Sequence, residues 1–179
     1  MPHLRRSAIT PTSRKRAAPA LRAARSGAER RRHLAAHPFE RRIQELCAEA
    51  DAAGVESLTA RQQLVVRTWA ALGVIHNGGF RHLLEGEWPL GAVAQGFEVL
   101  GFADAAGACE RVRAAVAAWP ALTEGARRSA VRDARGHDGF HAEGSAVFSV
   151  SFDALATALA RYMREHPNDF PGLPRDPDA

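Results

Sequence analysis

The densest cluster of residues capable of chemistry is segment 136–141, with the sequence Gly-His-Asp-Gly-Phe-His. His137 and His141 are four residues apart, so a helix would bring both imidazoles to one side, where they could ligate a metal ion. The two glycines of the segment disfavour a helix, and no Glu or Cys supplies a further ligand at a recognisable spacing. We therefore interpret the segment as a polar surface loop, with a metal site formed by His137, Asp138 and His141 as the weaker alternative.

A glycine pair stands inside the sequence Asn77-Gly78-Gly79-Phe80. Paired glycines after a helix can form a backbone nest that binds an anion. They more often form a tight turn that needs a positive φ, and no phosphate-loop pattern with a Lys follows here. We interpret Asn77, Gly78, Gly79 and Phe80 as fold residues that end a helix and let Phe80 fold back onto the core.

No motif for catalysis or cofactor binding is present. The chain has no nucleophile elbow, no nucleotide-binding loop and no dinucleotide fingerprint. Its two cysteines, Cys47 and Cys109, lie on apolar helical stripes without a neighbouring His, which predicts buried free thiols. The sequence thus predicts a non-enzyme without a cofactor. An unrecognised enzyme or metalloprotein is the alternative, and it would need residues that only the fold can bring together: His76, His82, His137, Asp138 and His141.

Apolar residues recur at helical spacing from residue 37 onward, which predicts an all-α domain of six or seven helices. Pro38 is expected to begin the first helix, and Thr59 with Gln62 forms a capping-box pattern at the start of the second. The second helix is expected to end at Asn77-Gly78, where the left-handed conformation is tolerated, with a short turn at 80–84. The third is expected between Pro89 and Gly101.

The second half of the domain continues the same pattern. Asp104 is expected to cap a helix that runs to Pro120, and 123–134 is expected to form a weaker, Arg-bearing helix. Val147, Phe148 and Val150 have a strand-like composition, although one isolated run cannot make a sheet. A final helix is expected from the Ser151 cap to His166-Pro167, with these residues facing inward: Phe152, Leu155, Leu159, Tyr162 and Met163.

Charge divides the chain. Residues 1–42 contain 12 Arg and Lys against 2 acids, whereas residues 43–179 contain 12 Arg against 18 acids. Segment 1–36 has few large apolar residues, so we predict a disordered basic tail at 1–36 before a helical domain at 37–179. The tail suits weak, non-specific contact with nucleic acid, an organellar presequence, or no function of its own. The longest run without Asp, Glu, Lys or Arg has 13 residues, too short for a membrane span, so we expect a cytoplasmic protein.

Residues 58–119 and 148–170 resemble a bacterial helical family, the DNA-mimic protein family, otherwise known as a domain of unknown function. The resemblance is carried by Asn-Gly-Gly-Phe at the end of the second helix and Leu-Gly-Phe at 100–102. An Ala-rich helix at 105–119 and the closing apolar pattern from Phe152 to Phe170 complete it. The sequence departs from the family pattern after Phe80, where Arg81 and His82 stand in place of Gln and further aromatic residues.

The resemblance implies a non-catalytic protein, often a homodimer, that binds another protein. In the named member of the family, acidic side chains stand in for DNA phosphates and engage a transcriptional repressor. We therefore expect a protein partner, such as a DNA-binding regulator, to meet an acidic surface that includes Glu85, Glu87, Glu98 and Asp104. The alternative from another class is a nucleic-acid-associated protein that uses the basic segment 1–36.

Overall fold

The described part of the chain is built from α-helices joined by short turns. The computed structural model describes residues 37–86, 88–117 and 140–174. These residues form six α-helices and contain no strand, which confirms the predicted all-α class. The helices are α1 (Pro38–Ala53), α2 (Ala60–Glu85), α3 (Leu90–Val99), α4 (Ala103–Ala115), α5 (His141–Phe148) and α6 (Phe152–Glu165), with a 3-10 turn at Val55–Ser57. The basic segment 1–36 and the expected helix at 123–134 lie outside the described residues.

Helix α2 lies at the centre of the fold. It packs against α3, α5 and α6, while α4 packs against α3 and α5. Side chains at three- and four-residue intervals along α2 have no solvent exposure, among them Val65, Leu72 and Ile75. Burial of such aliphatic side chains contributes roughly 1.5–3 kcal/mol each. The other helices supply the matching apolar faces: Ile43 and Leu46 of α1, Val93 and Phe97 of α3, Val112 of α4, Val147 of α5, and Leu155, Leu159 and Met163 of α6.

Helix α3 approaches α2 closely at one point. The Thr68 hydroxyl is fully buried and donates a hydrogen bond to the Leu64 carbonyl, at 2.8 Å. This hydroxyl occupies the space that a β-carbon at position 96 would need, so Gly96 allows the two helices to meet. The polar side chain therefore marks a helix–helix contact and has its hydrogen bond satisfied within its own helix.

The Asn-Gly-Gly-Phe segment kinks α2 where we expected the helix to end. Gly78 has an extended φ of −160°, and Gly79 has φ 66° and ψ −171°, a combination that is essentially restricted to glycine. The left-handed residue is thus Gly79, where we had predicted Asn77-Gly78. The predicted turn at 80–84 is also wrong, because helical geometry resumes at Phe80 and continues to Glu85. The kink directs Phe80 into the core, where only 2% of its surface is exposed.

The N-terminus of α2 is tied to the turn that follows α6. The predicted capping box is present: the Thr59 amide donates to Gln62 Oε1 at 3.0 Å, and the Gln62 amide donates to the Thr59 hydroxyl at 3.4 Å. Gln62 Nε2 also donates to the Asp169 carbonyl at 2.8 Å, and Arg61 forms an ion pair with the Asp169 carboxylate at 2.9 Å. The N-terminus of α2 therefore holds the segment that follows α6 in place, and Phe170 of this segment is buried.

The other predicted helix ends are mostly confirmed. Pro38 begins α1, the Ser151 hydroxyl caps α6 by accepting from the Ala154 amide at 3.1 Å, and α6 ends before His166. Asp104 does not cap α4. The N-cap is Phe102, and Asp104 lies in the first turn, where a carboxylate still interacts favourably with the helix dipole.

Two predictions for the C-terminal part are wrong. The strand-like residues are helical at Val147 and Phe148, and Val150 lies in the turn after α5. Val147 packs into the core from α5, whereas an isolated strand would leave its backbone groups unpaired. Phe152 does not point into the core: 39% of its surface is exposed, because the first residue of α6 lies at the edge of the packed helices.

We predict opposite effects for alanine at two glycines of α2. Gly79→Ala should lower the free energy of unfolding by about 1–3 kcal/mol, because the fold holds residue 79 in a glycine-only conformation that is strained for a residue with a β-carbon. Gly73→Ala should raise it by about 0.5–1 kcal/mol, since the site is helical and the new methyl group meets only the Phe152 ring. Urea unfolding of both variants measures the difference. Equal effects would show that the backbone at Gly79 does not need a positive φ.

We predict that Asp169 stabilises the fold in a pH-dependent way. Hydrogen bonds from Thr59 and Arg61 hold the pKa of the Asp169 carboxyl below its usual range. The stabilisation is therefore complete above the unfolded pKa near 4 and is lost as the pH falls through the lowered pKa of the folded state. Because Arg61 is half exposed, Asp169→Asn should cost only about 1 kcal/mol at neutral pH. Urea unfolding at several pH values should show the difference from wild type shrinking below pH about 4, and a constant difference would contradict it.

Candidate functional site

The four acids expected to meet a partner are not gathered at one place. Glu85 ends α2 and forms an ion pair with Arg81 at 3.1 Å, whereas Glu98 is in the last turn of α3. Most of α3, a helix roughly 15 Å long, lies between these two acids along the chain. Asp104 lies close to Glu98 along the chain, in the first turn of α4, and Glu87 lies outside the described residues.

Glu98 and Asp104 flank the turn between α3 and α4. Both are exposed, and neither forms an ion pair with another residue that the structure describes. Val99, between them, is 48% exposed, which is unusual for a large apolar side chain in this fold. The turn thus presents two uncompensated carboxylates beside an apolar residue.

Packing adds a third carboxylate that sequence reasoning missed. Asp153, in the first turn of α6, lines the same groove as Leu100 and Phe102 of the α3–α4 turn. Asp153 is exposed and has no ion-pair partner in the described part of the chain. About fifty residues of sequence separate it from the other two acids, so only the fold shows that it shares a groove with the α3–α4 turn. We name Glu98, Asp104 and Asp153, the unpaired acids of this turn and of the groove that the turn lines, the acidic turn surface.

Ion pairs offset many of the acids elsewhere in the described chain. Arg42 binds both Glu45 and Glu49, at 3.4 and 2.8 Å. Further pairs join Arg67 to Glu56, Arg113 to Glu110 and Arg111 to Glu143. Pairs of this kind are partly exposed and contribute little to stability, but each reduces the local negative potential. In the described part of the chain no arginine is paired with the three carboxylates of the acidic turn surface, and the same is true of Asp51 and Glu165.

The histidines do not form a metal centre with the other described residues. Nowhere in 37–86, 88–117 and 140–174 do three or more His, Cys, Asp or Glu side chains come together as metal ligands. His82 lies beside Arg81, with 3.1 Å between Nε2 and the guanidinium, and its ring covers Gly78. His141 is exposed at the start of α5, and its expected companions His137 and Asp138 lie outside the described residues.

His76 belongs to an aromatic cluster at the edge of the fold. Its ring lies 5.2 Å from both Phe148 and Phe152, and Phe152 packs edge-to-face on Trp69 at 5.4 Å. His76 Nε2 is buried without a hydrogen-bond partner, and Phe148 is 46% exposed. Among the described residues, the ring contacts of His76 are therefore with aromatic side chains.

Neither cysteine is suited to act as a nucleophile. Burial, with a smaller effect from Glu110, raises the pKa of the Cys109 thiol to about 12, and Cys109 is fully buried as predicted. Burial and then Asp51 also raise the pKa of Cys47, which is only partly buried. Because the thiolate is the reactive form, both side chains stay in the unreactive state at neutral pH.

None of the helices that the structure describes combines the length and the apolar character needed to cross a membrane.

Comparison with known proteins identifies the family. The family model described as DMP19-like protein matches residues 56–167, which include the whole of α2 through α6 and more than half of the chain. The match contains the kinked helix and all three carboxylates of the acidic turn surface. Neither the curated protein sequences nor the solved structures contain a significant match. The chain therefore belongs to the DMP19-like protein family, a helical family of the DNA-mimic type.

Proposed function

We propose that this protein is a non-catalytic cytoplasmic interaction module that places its acidic turn surface against the DNA-binding face of a partner protein. The observation that carries the proposal is the set of three exposed carboxylates, Glu98, Asp104 and Asp153, without ion-pair partners in the described chain. Membership of a family of the DNA-mimic type supports the same function.

The physical basis is electrostatic competition. A protein that binds DNA offers a basic face, and DNA presents a regular array of negative phosphates to it. Carboxylates on a rigid helical frame occupy that face by the same attraction, without the unfavourable ordering of a flexible acidic tail. Glu98, Asp104 and Asp153 are carried by three different helices, α3, α4 and α6, so their spacing is set by the packed core.

The predicted acids contribute unequally to this surface. Glu98 and Asp104 form it together with Asp153, whereas Arg81 offsets the charge of Glu85. Glu87 stays a candidate from the sequence alone. A homodimer, which the resemblance also predicts, would place two such surfaces on one particle and extend the negative array. Sedimentation velocity of the full chain tests that part of the proposal.

We predict that the full chain recovers a DNA-binding protein from a lysate of its source organism, and that duplex DNA displaces this protein. Asp104→Lys should weaken the interaction about tenfold, because a charge within the acidic turn surface is reversed. Asp51→Lys is the matched control: it makes the same change of charge at an exposed acid of α1, away from the turn. Pull-down with mass spectrometry, followed by titration of the recovered protein, provides both readouts.

Three outcomes would contradict the proposal. Equal losses from Asp104→Lys and Asp51→Lys would show that overall charge matters and the turn does not. A recovered protein that duplex DNA fails to displace would exclude DNA mimicry. If instead the chain itself binds DNA in a strongly salt-dependent way, and loses that binding when 1–36 is removed, the nucleic-acid-associated function is correct.

A further inference from the structure

A groove runs along the outer side of α6, beside the α3–α4 turn. It encloses about 910 Å³ and is open to solvent along its length. Its apolar lining comes from Leu100 and Phe102 on the turn and from Ala154 and Ala158 on α6. The two alanines present a low, smooth helix surface, and small residues of this kind let another backbone approach closely.

The two ends of the groove carry opposite charges. Asp153 lines the end at the first turn of α6, whereas Arg161 and Arg164 line the end at its last turn. Glu165 also lines the basic end, so this end carries two positive charges and one negative charge. From Asp153 to Arg164 the distance along α6 is roughly 16 Å, or about three helical turns.

The basic end is held in a defined position. The Arg164 guanidinium lies over the Phe39 ring of α1, 5.1 Å from its centroid, and Arg164 Nε donates to the Ala160 carbonyl at 3.3 Å. Arg161 is exposed and forms no ion pair with another described residue. Arg161 is therefore the cation that remains available to an incoming acidic group.

We propose that the groove binds an amphipathic helix of the partner protein, antiparallel to α6, with basic residues at its C-terminal end and an acidic residue near its N-terminal end. In this orientation the basic residues meet Asp153, and the acidic residue meets Arg161. The inference rests on the proposed function for the nature of the partner, and it adds the element of the partner that is bound and its direction.

The direction follows from helix electrostatics. Acidic side chains are favoured near the N-terminus of a helix and basic side chains near its C-terminus, so a stable helix already has the charge order that the groove requires. The groove length matches about three helical turns, and its apolar floor suits one apolar helix face. An extended strand is a poorer occupant, because the described residues offer no sheet edge with which it could pair.

Two stapled helical peptides of identical composition test the inference with the full-length protein. Both have about 14 residues with one apolar stripe. The first has Glu in its first turn and Arg in its last turn, and the second has these charges exchanged. The staple keeps both helical, so that a difference in helicity does not bias the comparison. We expect the first peptide to bind about tenfold more tightly in fluorescence anisotropy, because it meets opposite charges at both ends with its dipole antiparallel to that of α6. The second peptide can match the same charges only by lying parallel to α6, with the two dipoles in the unfavourable arrangement.

A charge exchange in the protein gives the decisive control. Asp153→Arg with Arg161→Asp keeps the net charge and should reverse the preference between the two peptides. Glu110→Arg with Arg113→Glu keeps the net charge and reverses an ion pair on α4, whose residues do not line the groove, and should leave the preference unchanged. Thermal melts followed by circular dichroism confirm that each variant is folded before its binding is measured.

The inference is overturned if both peptides bind equally, if neither binds at up to about 1 mM, or if the charge exchange leaves the preference unchanged. It is also overturned if a peptide with the same charged residues and a central proline in place of one apolar residue binds as well as the stapled one, since the occupant would then not be a helix. Failure here is distinct from failure of the proposed function. If duplex DNA displaces the recovered partner and the Asp153–Arg161 exchange does not affect its recovery, the result supports DNA mimicry and contradicts the groove inference.

Discussion

Burial of the apolar face of α2 is the interaction on which the rest of the structure depends. This helix contacts α3, α5 and α6 directly, and its fully buried side chains meet residues from each of them. The kink at Gly79 bends the helix so that Phe80 enters the core. The position of α3 follows from that bend and from the close contact at Gly96. The α3–α4 turn, with Glu98 and Asp104, is carried along with α3.

The second constraint is the connection between the two ends of the domain. Thr59, Arg61 and Gln62 at the start of α2 bind Asp169 after the end of α6, so α6 lies along α2 in the opposite direction. A groove forms between α6 and the α3–α4 turn, and Asp153 lines it although about fifty residues of sequence separate it from the two acids of that turn.

Charge pairing gives the surface its functional character. Arginines hold many carboxylates of α1, α2, α4 and α5 in ion pairs, which lowers the potential over those faces. The domain has only a modest net negative charge. The negative potential that a basic partner would meet therefore depends more on the uncompensated carboxylates at the turn than on the overall charge. A local surface of this kind suits recognition of one basic face, since specificity depends on arrangement more than on total charge.

Local signals in the sequence were sufficient for much of the fold. Helical periodicity identified the all-α class, the capping box at Thr59 and Gln62 was correct, and so was the cap at Ser151. Such features depend on residues within about one helical turn of each other, so they can be read without knowledge of the tertiary structure. Gly79 was recognised as part of a special backbone segment, but a kink and a helix end have the same local signature.

Tertiary packing decided the rest. Val147 and Phe148 have strand-like side chains, yet they are helical because Val147 fills a space between helices. Phe152 has the spacing of a core residue and is partly exposed because α6 begins at the edge of the fold. Glu85 was chosen for its charge, whereas its ion pair with Arg81 is a property of the folded chain, and so is the place of Asp153 in the groove that Leu100 and Phe102 also line. The sequence by itself determined which segments are helical and that the domain is acidic. Only the tertiary structure decided which carboxylates share a surface, because that depends on contacts between helices far apart in the chain.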